Sequence, residues 1–338
     1  MTTFRLHGAN PQKIYESFGI AAPEKIHDFS TNTNALSWDG EITVDMRRTL
    51  SDYPDDEATE VRGILAGRNG CLADEILVTS GSNETIYLIA SYQTGVCNAI
   101  LQPVYGEYLR ALTAYGANTR NIMSLDELHA EDKTVWLCNP CNPTGLFISD
   151  DEIENILAGH RDKTFVVDEA YIDFMYSARS SLDFRKHPNL IIMRSLTKIY
   201  HLCGSRIGYV LARPETITRL KDRQPTWSVN SLAQSAAAAF LRDVDFPEKT
   251  RAYYREEMPR FISELKSIGR RLLPTEVNYF LMETANDEEL MRFLLAHGIV
   301  VRHTRNFPGL DGKYVRVAAR SRGENDIFIS AMRKYMSR

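Results

Sequence analysis

Four short segments of this 338-residue chain hold residue types that together could carry covalent chemistry on an amine. Ser195-Leu196-Thr197-Lys198 follows an apolar run, and Gly204-Ser205-Arg206-Ile207-Gly208-Tyr209 comes soon after it. A lysine at the mouth of a sheet, beside hydroxyls and a second cation, suits an imine-forming amine, because a nearby positive charge and partial desolvation favour its neutral, nucleophilic form. Ser195 and Arg206 could hold a phosphate, the first as a hydroxyl donor and the second as a charged fork. Taken alone, Lys198 could equally be a surface lysine that ends a strand. Phe165-Val166-Val167-Asp168-Glu169-Ala170-Tyr171 adds a carboxylate at the end of another apolar run and a phenol three residues on. Such an acid can keep a heteroaromatic ring nitrogen protonated and turn the ring into an electron sink, although a helix cap or a metal ligand is the plainer use.

In Asn139-Pro140-Cys141-Asn142-Pro143-Thr144-Gly145, prolines and a glycine freeze an irregular loop whose polar reach is Asn142. Cys138 and Cys141 form a C-x-x-C that could be half a zinc site or a redox pair, but no second pair stands at ligand spacing, so no metal is expected. Thr79-Ser80-Gly81-Ser82-Asn83-Glu84 leads from an apolar run into a helical pattern. Free N–H groups at that helix start, with the helix dipole behind them, bind a phosphate without a basic residue.

The elements that must position these residues can be read from the pattern. Ile76–Val78, Ala99–Leu101, Val135–Leu137, Phe165–Val167, Leu190–Met193 and Tyr209–Leu211 are unbroken apolar runs, as expected of strands covered on both faces. Helical patterns at Glu84–Gln93 and Asp150–Leu157 lie between them, which predicts an α/β architecture with a mostly parallel sheet. After Pro225 the texture changes to helices over Leu232–Leu241 and Lys249–Ile268. A strand at Asn278–Met282, a helix at Asp287–His297, strands near Ile299–Val301 and Tyr314–Ala318, and a last helix from Glu324 complete a smaller α+β region. The reading is an N-terminal arm (1–40), a large domain (41–230) and a small C-terminal domain (231–338).

Composition narrows the partners. Hydrophobic residues make up 43% and charged residues 25%, the balance of a globular chain. Lys+Arg 40 against Asp+Glu 44 leaves a net charge of −4, so no basic field exists to hold nucleic acid or an anionic membrane. Five cysteines are too few for a disulfide scaffold, and the start lacks an apolar leader, which together predict a cytoplasmic protein.

With the four segments in this order, the chain resembles the fold-type I pyridoxal-phosphate enzymes of the aspartate aminotransferase superfamily. The resemblance implies pyridoxal 5'-phosphate as cofactor, Lys198 as its imine partner, Asp168 opposite the pyridinium nitrogen, and Tyr171 and Asn142 on the ring's phenolic oxygen. It implies a phosphate cup of Ser82, Asn83, Ser195 and Arg206, with Tyr105 of Pro103-Val104-Tyr105-Gly106-Glu107-Tyr108 stacked on the ring. Tyr53, in Asp52-Tyr53-Pro54-Asp55, matches a tyrosine that family homodimers send to the neighbour's cofactor phosphate. Arg316 matches the family's carboxylate-binding arginine, and strand alternation puts Arg320 on its face.

Two branches of the superfamily fit, both acting on small phosphorylated amines or amino acids. Leu6-His7-Gly8-Ala9-Asn10 and Asp28-Phe29-Ser30-Thr31-Asn32-Thr33-Asn34 resemble the start of the threonine-phosphate decarboxylases of cobalamin biosynthesis, with Ala9 in place of a glycine and without the proline and glycine usual near Asn34–Ser37. On that resemblance His7, Asn32 and Arg320 join Arg316 in gripping the substrate; turn and cap roles in the arm are the alternative for His7 and Asn32. The histidinol-phosphate aminotransferases are the second branch. A catalytically silent relative acting as a binding or regulatory protein should have lost some of these residues, and none is missing.

Overall fold

The computed structural model describes residues 8–176 and 182–338. Its strands in chain order are β1 (His27–Asp28), β2 (Ile76–Thr79), β3 (Cys97–Leu101), β4 (Asn118–Ile122), β5 (Thr134–Cys138), β6 (Thr164–Asp168), β7 (Leu190–Ser195), β8 (Gly208–Leu211), β9 (Tyr279–Glu283), β10 (Ile299–Val300), β11 (Arg302–His303) and β12 (Tyr314–Ala318). Among the described residues the central sheet has the order β2-β8-β7-β6-β5-β3-β4. Strands β3 to β7 pair in parallel, and β8 is antiparallel to both its neighbours, so only β8 runs against the rest. The C-terminal ends of β2, β5, β6 and β7 therefore open on one edge, where ligands of open α/β sheets bind.

The alternation of side chains explains why these strands read as continuous apolar runs. Val135, Leu137, Phe165, Val167, Leu190 and Ile192 enter one core, whereas Trp136, Val166, Ile191 and Met193 enter the core on the opposite face. Helices Gly81–Ala90, Glu107–Ala114 and Pro214–Lys221 cover the second face, and Asp150–Gly159 and Ser231–Arg242 contribute to the first. All six apolar runs are strands of this sheet. The seventh, β4, has no apolar run because it is an edge strand in which only Ile122 is buried.

Two helix starts differ from the periodic pattern. The helix expected from Glu84 begins at Gly81, which brings Ser82 and Asn83 into its first turn. The last helix begins at Arg322, because Ser321 and Glu324 form a reciprocal capping box. Beyond the long helix Asp245–Ser267, β11, β12 and β9 form an antiparallel sheet. The N-terminal segment is tied to this region: β1 pairs in parallel with β10, the Phe29 N–H donates to the Val300 carbonyl at 2.8 Å, and the Ala318 N–H donates to the Phe29 carbonyl at 2.9 Å. No helix among the described residues is long and apolar enough to cross a membrane.

One buried ion pair joins the strand ends that carry the chemistry. Glu169 follows Asp168 and is 1% exposed; Arg194 precedes Ser195 and donates to Glu169 Oε2 through Nε at 2.8 Å and Nη2 at 2.7 Å. Removing one partner of such a pair leaves a desolvated charge behind, so Glu169→Gln should cost about 3–5 kcal/mol of stability, read as a lower urea midpoint. An unchanged midpoint would show that water already screens the pair.

Candidate active site

A cavity of about 170 Å³ opens at the sheet edge, lined by Gly8, Ala9, Ser30, Thr31, Asn32, Tyr105, Gly106, Asn142, Tyr171, Lys198, Arg302, Asn306, Phe307 and Arg316. Six residues expected from the sequence therefore meet on one space: Lys198, Tyr105, Asn142, Tyr171, Asn32 and Arg316. They come from six places in the chain that only the fold brings together.

Lys198 is half-buried three residues after β7, and the surrounding desolvation pushes its amine below the usual lysine range. The positive charges of Arg206 and Arg316 push the same way, while Cys203 and Asp168 oppose them. Its main-chain carbonyl accepts from the Asn34 N–H at 3.1 Å. The fully buried Asn34 side chain donates to the Ile199 carbonyl at 3.0 Å and to Thr250 Oγ1 at 2.8 Å. Asn34 thus straps the lysine segment to the N-terminal arm, a role with no signal in sequence beyond its place in an Asn-rich turn.

Asp168 ends β6 and is 4% exposed. Burial raises its carboxyl from 3.8 to about 6, against two hydrogen bonds that favour the charged form. The Ala170 N–H donates to Oδ1 at 2.9 Å and the Tyr108 phenol donates to Oδ2 at 2.6 Å. The carboxylate does not line the 170 Å³ cavity, but it is electrostatically coupled to Lys198.

Asn142 reaches the site because its loop is pinned from the C-terminal side: the Tyr279 phenol donates to the Cys141 carbonyl at 3.0 Å. Tyr279 also meets Tyr171 edge to face at 5.0 Å, and the Arg316 guanidinium lies 5.5 Å from the Tyr279 ring centre. The Tyr171 oxygen accepts from Asn32 Nδ2 at 3.4 Å, while Asn32 Oδ1 is buried with no partner among the described residues. The thiols of Cys138 and Cys141 donate to different carbonyls, those of Pro140 and Pro103.

Arg316 donates to Asn142 Oδ1 at 2.5 Å and to the Ser30 carbonyl at 2.8 Å. In the small sheet it stands in register opposite Arg302, which is 4% exposed and lines the same cavity. Burial and the neighbouring Arg316 push Arg302 down to about 9. Arg302 donates to Asn306 Oδ1 at 2.7 Å. Sequence reading missed Arg302; the signal was a charged residue immediately after the apolar Ile299–Val301 run, whose pairing partner only the register reveals. Arg320 lies two residues past the end of β12, where strand alternation no longer applies. Its guanidinium donates to Thr33 Oγ1 at 3.2 Å and does not line the cavity.

The expected phosphate residues gather beside this space. Ser82 and Asn83 occupy the first turn of helix Gly81–Ala90, and the Tyr105 phenol donates to Asn83 Oδ1 at 3.2 Å. Gly81 has φ +74°, and a Cβ there would come within 2.7 Å of Arg206 Nη2; a Cβ on Gly208 would come within 2.9 Å of the Ser82 nitrogen. Ser195 Oγ lies 2.7 Å from Thr197 Oγ1 at the end of β7. Tyr53 is 77% exposed, stacked on Trp227 at 4.2 Å, and lines no part of its own chain's cavity. His7 lies outside the described residues.

Comparison with known proteins agrees with this geometry. The profile of aminotransferase class I and II matches residues 32–332. The chain is 31% identical to the threonine-phosphate decarboxylase of Salmonella typhimurium, over 98% of this chain and 96% of that protein. It is 30% identical to the histidinol-phosphate aminotransferase of Moorella thermoacetica, over 84% and 78%. The crystal structure of L-threonine-O-3-phosphate decarboxylase from Porphyromonas gingivalis superposes with a TM-score of 0.83 at 27% identity, covering 93% of this chain and all of that one. The chain thus belongs to the class I and II aminotransferase family and is a pyridoxal-phosphate-dependent enzyme.

Proposed function

We propose that this enzyme decarboxylates L-threonine O-3-phosphate to (R)-1-amino-2-propanol O-2-phosphate, a step of cobalamin biosynthesis. The observation that carries this reading is the pair Arg302 and Arg316, two buried guanidiniums in register on a small cavity walled by Gly8, Ala9 and Ser30–Asn32. Two desolvated cations on one space suit a compact substrate with two anionic groups, a carboxylate and a phosphate. The wall over them is the N-terminal segment whose sequence resembles the decarboxylase branch.

The residues present fit the cofactor. The close approach of Gly81 and Gly208 leaves main-chain N–H groups of the helix start beside Arg206, a cradle that any Cβ would fill and that suits a phosphate. Bound there, pyridoxal phosphate supplies an electron sink for the pair released when a bond at the substrate's Cα breaks. Ser82, Asn83, Ser195 and Arg206 would hold its phosphate, Tyr105 its ring face, Asp168 its ring nitrogen, and Asn142 and Tyr171 its phenolic oxygen. Lys198, its amine kept toward the neutral form by burial, would bind the aldehyde carbon and afterwards move a proton at Nζ to or from Cα. Arg302 and Arg316 would orient the substrate, and the orientation of its carboxylate selects which Cα bond breaks. Tyr53 and Trp227 stack on each other while both stay exposed, and Met46 and Leu50 are exposed on the helix just before Tyr53, which supports a homodimer in which Tyr53 serves the other copy's phosphate cup.

The comparable identity to a histidinol-phosphate aminotransferase favours transamination as the second reading. Incubation of the purified enzyme with L-threonine O-3-phosphate separates the two: carbon dioxide released without a 2-oxo acid is expected, and a strict requirement for that acceptor overturns the proposal. Arg302→Gln should raise KM for the phosphorylated substrate by about 10- to 100-fold with a smaller change in kcat, the loss of one charge-assisted contact; an unchanged KM removes Arg302 from substrate binding. Sedimentation should find a dimer, and a fully active monomer would contradict the role of Tyr53.

A further inference from the structure

Asp168 is asked to carry a negative charge in a place that disfavours one. It is almost fully buried, and among the described residues its carboxylate receives two hydrogen bonds, one from its own chain turn at Ala170 and one from Tyr108. Tyr108 belongs to helix Glu107–Ala114, packed on the face of the sheet opposite Tyr171 and Phe165. Its ring is fully buried, tilted against Trp136 at 5.6 Å and edge-on to Tyr105 at 6.1 Å with an interplanar angle of 89°. The phenol is therefore held by packing on two sides, and its 2.6 Å contact with Asp168 Oδ2 has the length of a charge-assisted O–H donor on a carboxylate.

We propose that Tyr108 is a positioning residue of the active site, which donates its phenolic hydrogen to Asp168 Oδ2 and so holds that carboxylate charged and in one orientation for the cofactor. The second contact of Tyr108, edge-on to Tyr105, joins this carboxylate to the aromatic residue that lines the cavity and in turn donates to Asn83. The short stretch from Tyr105 into the first turn of this helix thus reaches Asp168 and Asn83 together. The proposal rests on Asp168 facing the ring nitrogen but not on which substrate is used or which Cα bond breaks.

The groups that face Asp168 define what a pH test must separate. They are Tyr108 from its helix, Glu169 and Tyr171 along its own chain, Cys138 opposite it on β5, Tyr105, and Lys198 after β7. Burial keeps the phenols of Tyr105, Tyr108 and Tyr171 and the thiol of Cys138 protonated across the neutral range, each being raised from its ordinary value. Tyr108 is thus a donor at every working pH. Because folding raises the Asp168 pKa, its contribution to stability is full below the unfolded value of 3.8 and is lost as pH rises through about 6. Deleting the donor raises that folded value further, so the deficit of Tyr108→Phe must grow with pH.

The test uses apoprotein and holoprotein. In the apoprotein, the melting temperature of Tyr108→Phe should fall below wild type by a margin that widens between pH 5 and pH 8, with the Asp168 titration moved up by about one unit, the size of one hydrogen bond to a charged group. In an Asp168→Asn background the same substitution should show no widening margin. A margin that is independent of pH, or that widens equally without Asp168, means that Tyr108 only fills space and overturns the proposal. Equilibrium titration of the same apoproteins with pyridoxal phosphate should then show about tenfold weaker binding for Tyr108→Phe and no added loss on top of Asp168→Asn. A pH-linked margin with unchanged cofactor affinity would overturn the role toward the cofactor while leaving the hydrogen bond itself in place, which separates failure of this proposal from failure of the substrate assignment.

Discussion

Burial at the ends of β6 and β7 raises the proton affinity of the Asp168 carboxylate and lowers that of the Lys198 amine, and both shifts follow from removing charge from water. For the amine the shift is useful as it stands, since the neutral form is the nucleophile. For the carboxylate it is opposed, because a neutral acid cannot hold a ring nitrogen cationic. The surrounding structure answers this asymmetry: two donors converge on Asp168, two guanidinium charges lower the amine further, and the Glu169–Arg194 pair joins the two strand ends. A parallel sheet allows this arrangement because the C-terminal ends of its strands lie side by side.

The second constraint is the reach of the N-terminal segment. Asp28 accepts from the Ser30 N–H at 2.8 Å and from the hydroxyls of Ser30 and Thr31 at 2.6 and 2.7 Å, an Asx turn that fixes the path toward Asn32. From there Asn32 touches Tyr171, Thr33 is held by Arg320, and Asn34 straps Lys198. The segment therefore spans both regions of the chain and forms one wall of the cavity. It is bonded to the small sheet, where Arg302 and Arg316 stand in register and Arg316 donates to the Ser30 carbonyl. This seam and the strand ends of the large sheet meet at Asn142, which contacts Arg316 and lines the cavity together with Lys198.

The apolar runs, the strand-end Asp168 and Lys198, the frozen loop at Asn142 and the glycine-led helix start were legible in the amino-acid order, because each depends on periodicity or on backbone restrictions confined to a few neighbours. The strand β4 was not, since an edge strand needs little burial and so leaves no apolar signature. The starts of the first and last helices of the pattern lie two or three residues earlier than apolar spacing gives, at Gly81 and Arg322, the latter set by the Ser321–Glu324 capping box.

Tyr108, Arg302, Asn34 and Tyr279 escaped for a different reason. Each is an ordinary residue in its local context, and each gains its role from a partner 14 to 216 positions away in the chain. By itself the sequence determined which groups could do chemistry and on which kind of strand end they stand, because those properties are local. Only the tertiary structure decided which of them share a cavity, which are desolvated and which donors keep them charged, because burial and hydrogen-bond partners are set by packing between distant segments.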